Sequence, residues 1–125
     1  MAVTVEREVM YYAEEDGTEP VKEWINKLKK KNKLVEASKV STRINRAKNG
    51  NYGDHRFLGG NFFELKIDYG PGYRVYIGED GDKLLLLLNG GTKDTQQDDI
   101  KEAERRWELY KKEKENIESE NGGEK

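Results

Sequence analysis

Residues 62–77 read FFELKIDYGPGYRVYI, and this stretch decides what kind of fold the chain can adopt. Side chains alternate across a pleated strand, so Phe63, Leu65 and Ile67 share one face while Glu64, Lys66 and Asp68 share the other. Beyond the turn signal Gly70-Pro71-Gly72, Tyr73, Val75 and Ile77 repeat the pattern against Arg74 and Tyr76. A hairpin is predicted with one apolar face. If that face packs beneath helices, Glu64, Lys66, Arg74 and Tyr76 are displayed together on the open one.

Working outward, His55 to Leu58 and Lys83 to Asn89 are two further short β-prone segments, set off by Gly59-Gly60 and Glu79-Asp80-Gly81-Asp82. The four segments form a meander. Val5 to Tyr12 is partly alternating and reads as an earlier, first strand. Between it and the meander, Val21, Trp24, Ile25 and Leu28 recur at helical spacing, with Thr18 as N-cap and Pro20 in the first turn, so a helix is expected to about Lys30. Leu34, Ala37, Val40, Ile44 and Ala47 make a second helix that Asn49-Gly50 should end. Asp94-Thr95 starts a last helix with the stripe Ile100, Ala103, Trp107 and Tyr110. Trp24 and Trp107 are expected in the core. The fold class that follows is α+β, a small, mostly antiparallel sheet with a helical hairpin packed on one face and an open cationic face. Residues 1–110 form one domain, and 111–125 have almost nothing to bury and are expected to fray into a disordered, charged tail.

Composition narrows the chemistry. Charged residues are 38% and hydrophobic ones 34% of 125 residues, so nearly every apolar side chain is needed for a single thin core. The absence of cysteine removes disulfides, thiolate metal sites and cysteine nucleophiles, and a single histidine, His55, removes His-rich metal sites and paired-histidine acid/base chemistry. No metal and no cofactor are expected. The first residues lack a basic segment followed by an apolar one, and the longest apolar run is Leu84 to Leu88, so neither export nor membrane insertion is expected and the cytoplasm fits. The net charge of −2 conceals an asymmetry, since residues 20–56 carry +8 between two stretches of −5 each. Lys29, Lys30, Lys31, Lys33, Lys39, Arg43, Arg46 and Lys48 dress the helical hairpin in cations, which suits docking to RNA. The plainer alternative is an ordinary solvated helix face.

Residues 50–103, GNYGDHRFLGGNFFELKIDYGPGYRVYIGEDGDKLLLLLNGGTKDTQQDDIKEA, resemble the RelE/ParE superfamily of bacterial toxins, in particular its RelE- and HigB-like branch of addiction-module killer proteins. The matching pieces are the Gly-Asp loop, the E-L-K strand, G-P-G-Y-R-V-Y and G-G-x-K-x-x-Q-x-x-D-I, in order. The likeness continues upstream through W-I-x-x-L and R-I-N-R-x-K-N-G-N, so it spans roughly residues 5 to 108. It implies a β-α-α-β-β-β fold with a variable final helix. It also implies the toxin of a type II toxin-antitoxin system, a metal-independent, ribosome-dependent mRNA endonuclease that arrests translation. The implied partners are the 70S ribosome with its mRNA and a cognate antitoxin, a helix-turn-helix DNA-binding protein.

Such an enzyme drives the ribose 2′-hydroxyl onto its own phosphodiester. The reaction needs a group to take the 2′ proton, cations to hold the dianionic transition state and a donor for the 5′-oxygen. The resemblance implies that Arg74 is the phosphate-contacting arginine, its guanidinium a fixed fork matched to phosphate oxygens. Lys66 matches a basic strand position and either lowers the phosphate's charge or takes the 2′ proton. Lys93 falls where relatives carry a basic residue beyond the last strand, and Gln96 is the amide that follows; Arg56 and Gln96 join the RNA-contacting set. Relatives of the ribosome-dependent type also have a tyrosine in the final segment where this chain has Ile100, and a strand lysine where it has Glu64. Tyr76, Glu64 and His55 are therefore the candidates for acid and base. Two other activities remain on this fold: a ParE-like toxin that inhibits gyrase by binding, whose branch lacks the basic set, and a catalytically inactive binding module.

Overall fold

In the computed structural model, which describes residues 6–122, the central hairpin forms as β3 (Phe62–Ile67) and β4 (Tyr73–Asp80). Its register sets Glu64 opposite Tyr76 and Lys66 opposite Arg74. β2 (His55–Gly59) lies antiparallel on the outer side of β3, and β5 (Leu84–Thr92) antiparallel on β4. The first strand, β1 (Glu8–Tyr11), crosses the molecule to pair in parallel with β5. The result is one mostly antiparallel sheet of order β1-β5-β4-β3-β2 in an α+β domain. The expected start of the first strand, Val5, lies outside the described residues.

One face of the sheet carries Phe63, Leu65, Ile67, Tyr73, Val75, Ile77, Leu85 and Leu87, and the helices α1 (Pro20–Lys30) and α2 (Leu34–Lys48) pack on it through Val21, Ile25, Leu28, Ala37, Val40, Ile44 and Ala47. These are the apolar positions of the two sequence periodicities. Glu19, in extended conformation, precedes α1 as N-cap instead of Thr18, whose amide is donated to Asp16 Oδ1 at 2.9 Å in the turn before the helix. Asn32 turns the corner between the helices with a φ of 63°, a conformation asparagine tolerates better than most residues.

The opposite face is not open. A third helix, α3 (Gln96–Gly122), preceded by a 3-10 turn (Lys93–Thr95), lies across it. Ala103 and Trp107 bury themselves there against Phe62, Tyr76, Leu86 and Leu88. Leu84 to Leu88 explains this: the run is apolar at every position, so Leu85 and Leu87 serve one core while Leu86 and Leu88 need another. A β-bulge at Leu88, between the pairs Tyr76/Asn89 and Ile77/Leu87, then realigns the strand. The helix also continues past Lys111 where fraying is expected. Tyr110 and Lys114 both donate to Asp80, Lys111 sits over the Trp107 ring at 5.4 Å, and Lys111 pairs with Glu108. Residues 123–125 of the expected tail lie outside the described residues.

Two glycines make these helices fit. Gly90 lies beneath the Trp24 ring and Gly78 beneath the Trp107 ring, each so close that a Cβ would overlap the indole. Replacing Gly90 by alanine should therefore cost about 1–3 kcal/mol through overpacking. Urea denaturation checks this, and an unchanged midpoint would show that Trp24 withdraws freely.

Candidate active site

The polar residues singled out from the sequence stand in two cross-strand rows on the α3 side of the sheet. In the first row, Arg56 on β2 faces Glu64 on β3, which faces Tyr76 on β4, which faces Asn89 on β5. In the second, Lys66 faces Arg74, which faces Gly91. The strand alternation of residues 62–77 thus does bring Glu64, Lys66, Arg74 and Tyr76 onto one face, but it leaves them unequally accessible.

The first row is closed. Glu64 is 0% exposed, an unusual position for a carboxylate, and its charge is met by Arg56 Nε at 3.0 Å and by Gln96 Nε2, which reaches its two oxygens at 3.0 and 3.2 Å from the start of α3. Arg56 and Gln96, expected to touch RNA, are both spent at least in part on this buried acid. Tyr76 is also fully buried, and its hydroxyl has no hydrogen-bond partner. Burial pushes its pKa well above the usual phenol value, helped by the negative charges of Glu64 and Asp99 and opposed by Arg74 and Arg56. Asp99 itself is raised by burial, partly offset by the hydroxyl that Thr95 donates to it, while Asn89 Nδ2 donates to the Asp99 carbonyl at 3.1 Å. Asn89, Thr95 and Asp99 were not recognisable from sequence as parts of this layer. The available signal was Gly91, whose missing side chain makes room for the Asp99 carboxylate.

Tyr76 yields a pH prediction. Its folded pKa lies above the unfolded value of about 10, so the protein has the full benefit below pH 10 and loses it as the unfolded state alone begins to release the proton. Tyr12, Tyr73 and Tyr110, the last raised to about 12, act in the same direction. Tyr76→Phe should leave stability at pH 7 unchanged or slightly higher, because it removes an unsatisfied buried hydroxyl, and should flatten the alkaline fall. Unfolding midpoints between pH 7 and 11 read both effects; an alkaline limb identical to the parent's would contradict the shift.

The second row is where charge is free. Among the described residues, Lys66, Arg74 and Lys93 have no acid within ion-pair distance. Arg74 is half-buried; its Nη1 donates to the Tyr73 carbonyl at 3.2 Å and its Nε is buried without a partner. Gly72, in the left-handed region at φ 82°, lets the chain turn so that Arg74 and Lys93 flank it: a Cβ there would stand 3.5 Å from Arg74 Nη1 and 3.6 Å from Lys93 Cβ. The Lys93 amide is fixed to the Gly72 carbonyl at 2.8 Å. Three cations therefore converge at the end of β3, β4 and β5 beside the first turn of α3.

The remaining candidates lie elsewhere. His55 is on the other face of β2, exposed, with Nδ1 2.7 Å from the Gly53 carbonyl and its ring edge-on to Tyr52 and Phe57, so it does not join Glu64 and Tyr76 as acid or base. Arg43 is not a free cation of the helical hairpin: its guanidinium donates to the carbonyls of Lys66, Tyr52 and Asp54 and ties the 49–54 loop to β3. Lys48 pairs with Glu6 at 3.0 Å. Lys29, Lys30, Lys31, Lys33, Lys39 and Arg46 are exposed, on the helical side of the sheet and so opposite Lys66, Arg74 and Lys93. Among the described residues no group of three or more His, Cys, Asp or Glu side chains is arranged to hold a metal, and no helix is long and apolar enough to cross a membrane.

No protein-family model matches the chain. An uncharacterized protein of Haemophilus influenzae (strain ATCC 51907 / DSM 11121 / KW20 / Rd) is 45% identical to it over 80 residues, which cover 64% of this chain and 78% of that protein.

Proposed function

The chain belongs to one family with the uncharacterized Haemophilus influenzae protein, and for it we propose a metal-independent endoribonuclease activity, that of a RelE-like toxin directed at mRNA on the ribosome. The observation that carries this reading is the convergence of Lys66, Arg74 and Lys93, with no acid within ion-pair distance of them among the described residues, next to a glycine that opens the backbone. The element order, two helices between the first strand and an antiparallel meander, supports a RelE-like topology.

In the proposed reaction the ribose 2′-oxygen forms a bond to the adjacent phosphorus and the P–O5′ bond breaks, leaving a 2′,3′-cyclic phosphate and a 5′-hydroxyl. The Arg74 fork and Lys93 hold the non-bridging oxygens as negative charge grows on them. Lys66, beside Arg74 on the next strand, either shares that charge or takes the 2′ proton. Burial keeps the Tyr76 hydroxyl protonated, and the Glu64 carboxylate is occupied by Arg56 and Gln96, so neither is free to act as a base. They stand in the cross-strand row beside the cations, on the same face of the sheet.

The decisive test is primer extension on an mRNA in a reconstituted translation system with the purified protein added. Cuts inside the ribosomal A site are expected, and their absence together with arrest of DNA gyrase would replace this reading by the ParE-like one. The partner implied is a cognate antitoxin, and co-expression with the product of the adjacent gene should relieve growth arrest.

A further inference from the structure

A second place on the surface combines an exposed aromatic ring with cations. Tyr69 sits in the β3–β4 turn, 38% exposed, anchored by its amide on the Ile67 carbonyl and by the Gly72 amide on its own carbonyl, both at 3.0 Å. Lys39 of α2 holds its ammonium 4.7 Å from the ring centroid. Ring and lysine border a groove of about 280 Å³ that is also lined by Ser38, Thr42, Arg46 and Asp68. Arg43 makes the groove rigid, because its three carbonyl bonds clamp α2 to β3 and to the 52–54 loop behind it. Neither Lys39 nor Arg46 has an acid within ion-pair distance among the described residues.

We propose that this groove is a nucleotide subsite for single-stranded RNA, in which a base stacks on Tyr69 and the neighbouring phosphate lies between Lys39 and Arg46. The position in the fold favours that ligand. The turn that carries Tyr69 is the one that joins Lys66 to Arg74, so a strand held at the cations on the α3 side reaches Tyr69 by passing over a single hairpin tip. Stacking needs an accessible ring face and tolerates any base, while cations beside it track the backbone. Ser38, Thr42 and Asp68 supply hydroxyls and one acceptor for ribose or base edges. The inference rests on the ribonuclease reading for the identity of its ligand, but not on cleavage taking place.

The test is fluorescence anisotropy of a 5′-labelled ten-nucleotide single-stranded RNA with the full chain, at several salt concentrations. Tyr69→Ala should weaken binding roughly 5- to 150-fold, the range of one lost base stack, whereas Tyr69→Phe should bind like the parent. Lys39→Ala and Arg46→Ala should each weaken binding and lower the salt slope by roughly 0.7, the value for one phosphate contact on a single strand. Circular dichroism shows that the variants are folded. Parent-like binding by Tyr69→Ala, equal losses in Tyr69→Ala and Tyr69→Phe, or a blunt duplex bound with the same Tyr69 dependence would each overturn the proposal. Absence of mRNA cleavage by the parent protein, with Tyr69-dependent binding intact, overturns the nuclease reading and leaves the subsite standing.

Discussion

Arg74→Ala should abolish growth arrest on expression and lower A-site cleavage of mRNA about 10²–10³-fold, the usual cost of removing one oriented donor from a transition-state anion. The loss would be chemical and not structural. Arg74 makes only a 3.2 Å bond to the carbonyl of the preceding residue, and no ion pair among the described residues depends on it. Its removal also relieves a buried Nε that has no partner, so the thermal midpoint should hold or rise. Arg74→Lys keeps the charge but not the planar fork, and should recover a fraction of the rate. A fully toxic Arg74→Ala variant at normal expression would dismiss the assignment of this residue and with it the proposed arrangement of the phosphate.

The largest effect on stability is expected from Trp107→Ala. The indole is 4% exposed, lies against Gly78, and is the main apolar contribution of α3 to the second core. Truncation should cost about 3–5 kcal/mol, a large share of the 5–15 kcal/mol typical of a whole domain. The consequence reaches the polar layer, because the same helix brings Gln96 to Glu64 and Asp99 over Gly91. Urea denaturation measures the loss, and hydrogen exchange of α3 amides shows whether the helix separates before the sheet opens. A cost below about 1 kcal/mol would mean that α3 contributes little to the folded state.

The sheet was largely legible because its signal is local. Phe63, Leu65 and Ile67 against Glu64 and Lys66 mark both the strand and the faces of these side chains, and Gly70-Pro71-Gly72 marks the turn that sets Lys66 opposite Arg74. Asp68, expected on the Glu64 face, instead lies beyond the end of the strand and lines the groove beside α2. The covering of the second face was harder to read. The stripe Ile100, Ala103, Trp107 and Tyr110 announces a helix but not the surface it meets; the missing clue was Leu86 and Leu88, which cannot both be buried with Leu85 and Leu87 on one side. Burial of Glu64 and Tyr76 followed from that helix and so escaped with it. Arg43 illustrates a different limit: on the helix it is one cation among many, and only the return of residues 52–54 and β3 to its side makes it a clamp. Continuation of α3 through the charged segment depends on Asp80, a residue thirty or more positions away in the chain, which takes hydrogen bonds from Tyr110 and Lys114.

The pairing of β1 with β5 bears on when the molecule can assemble. Glu8 meets Leu84 and Tyr11 meets Leu87, so the first strand to be made has its place in the sheet only after the last strand exists. Pairing over so long a separation slows folding, because a large loop must close before the contact rewards it. During synthesis, α1 and α2 emerge early with no sheet to cover, and Lys93 leaves the ribosome later still than β5's leucines. The three cations therefore come together only after residue 93 has been made, and a chain interrupted before it never assembles them.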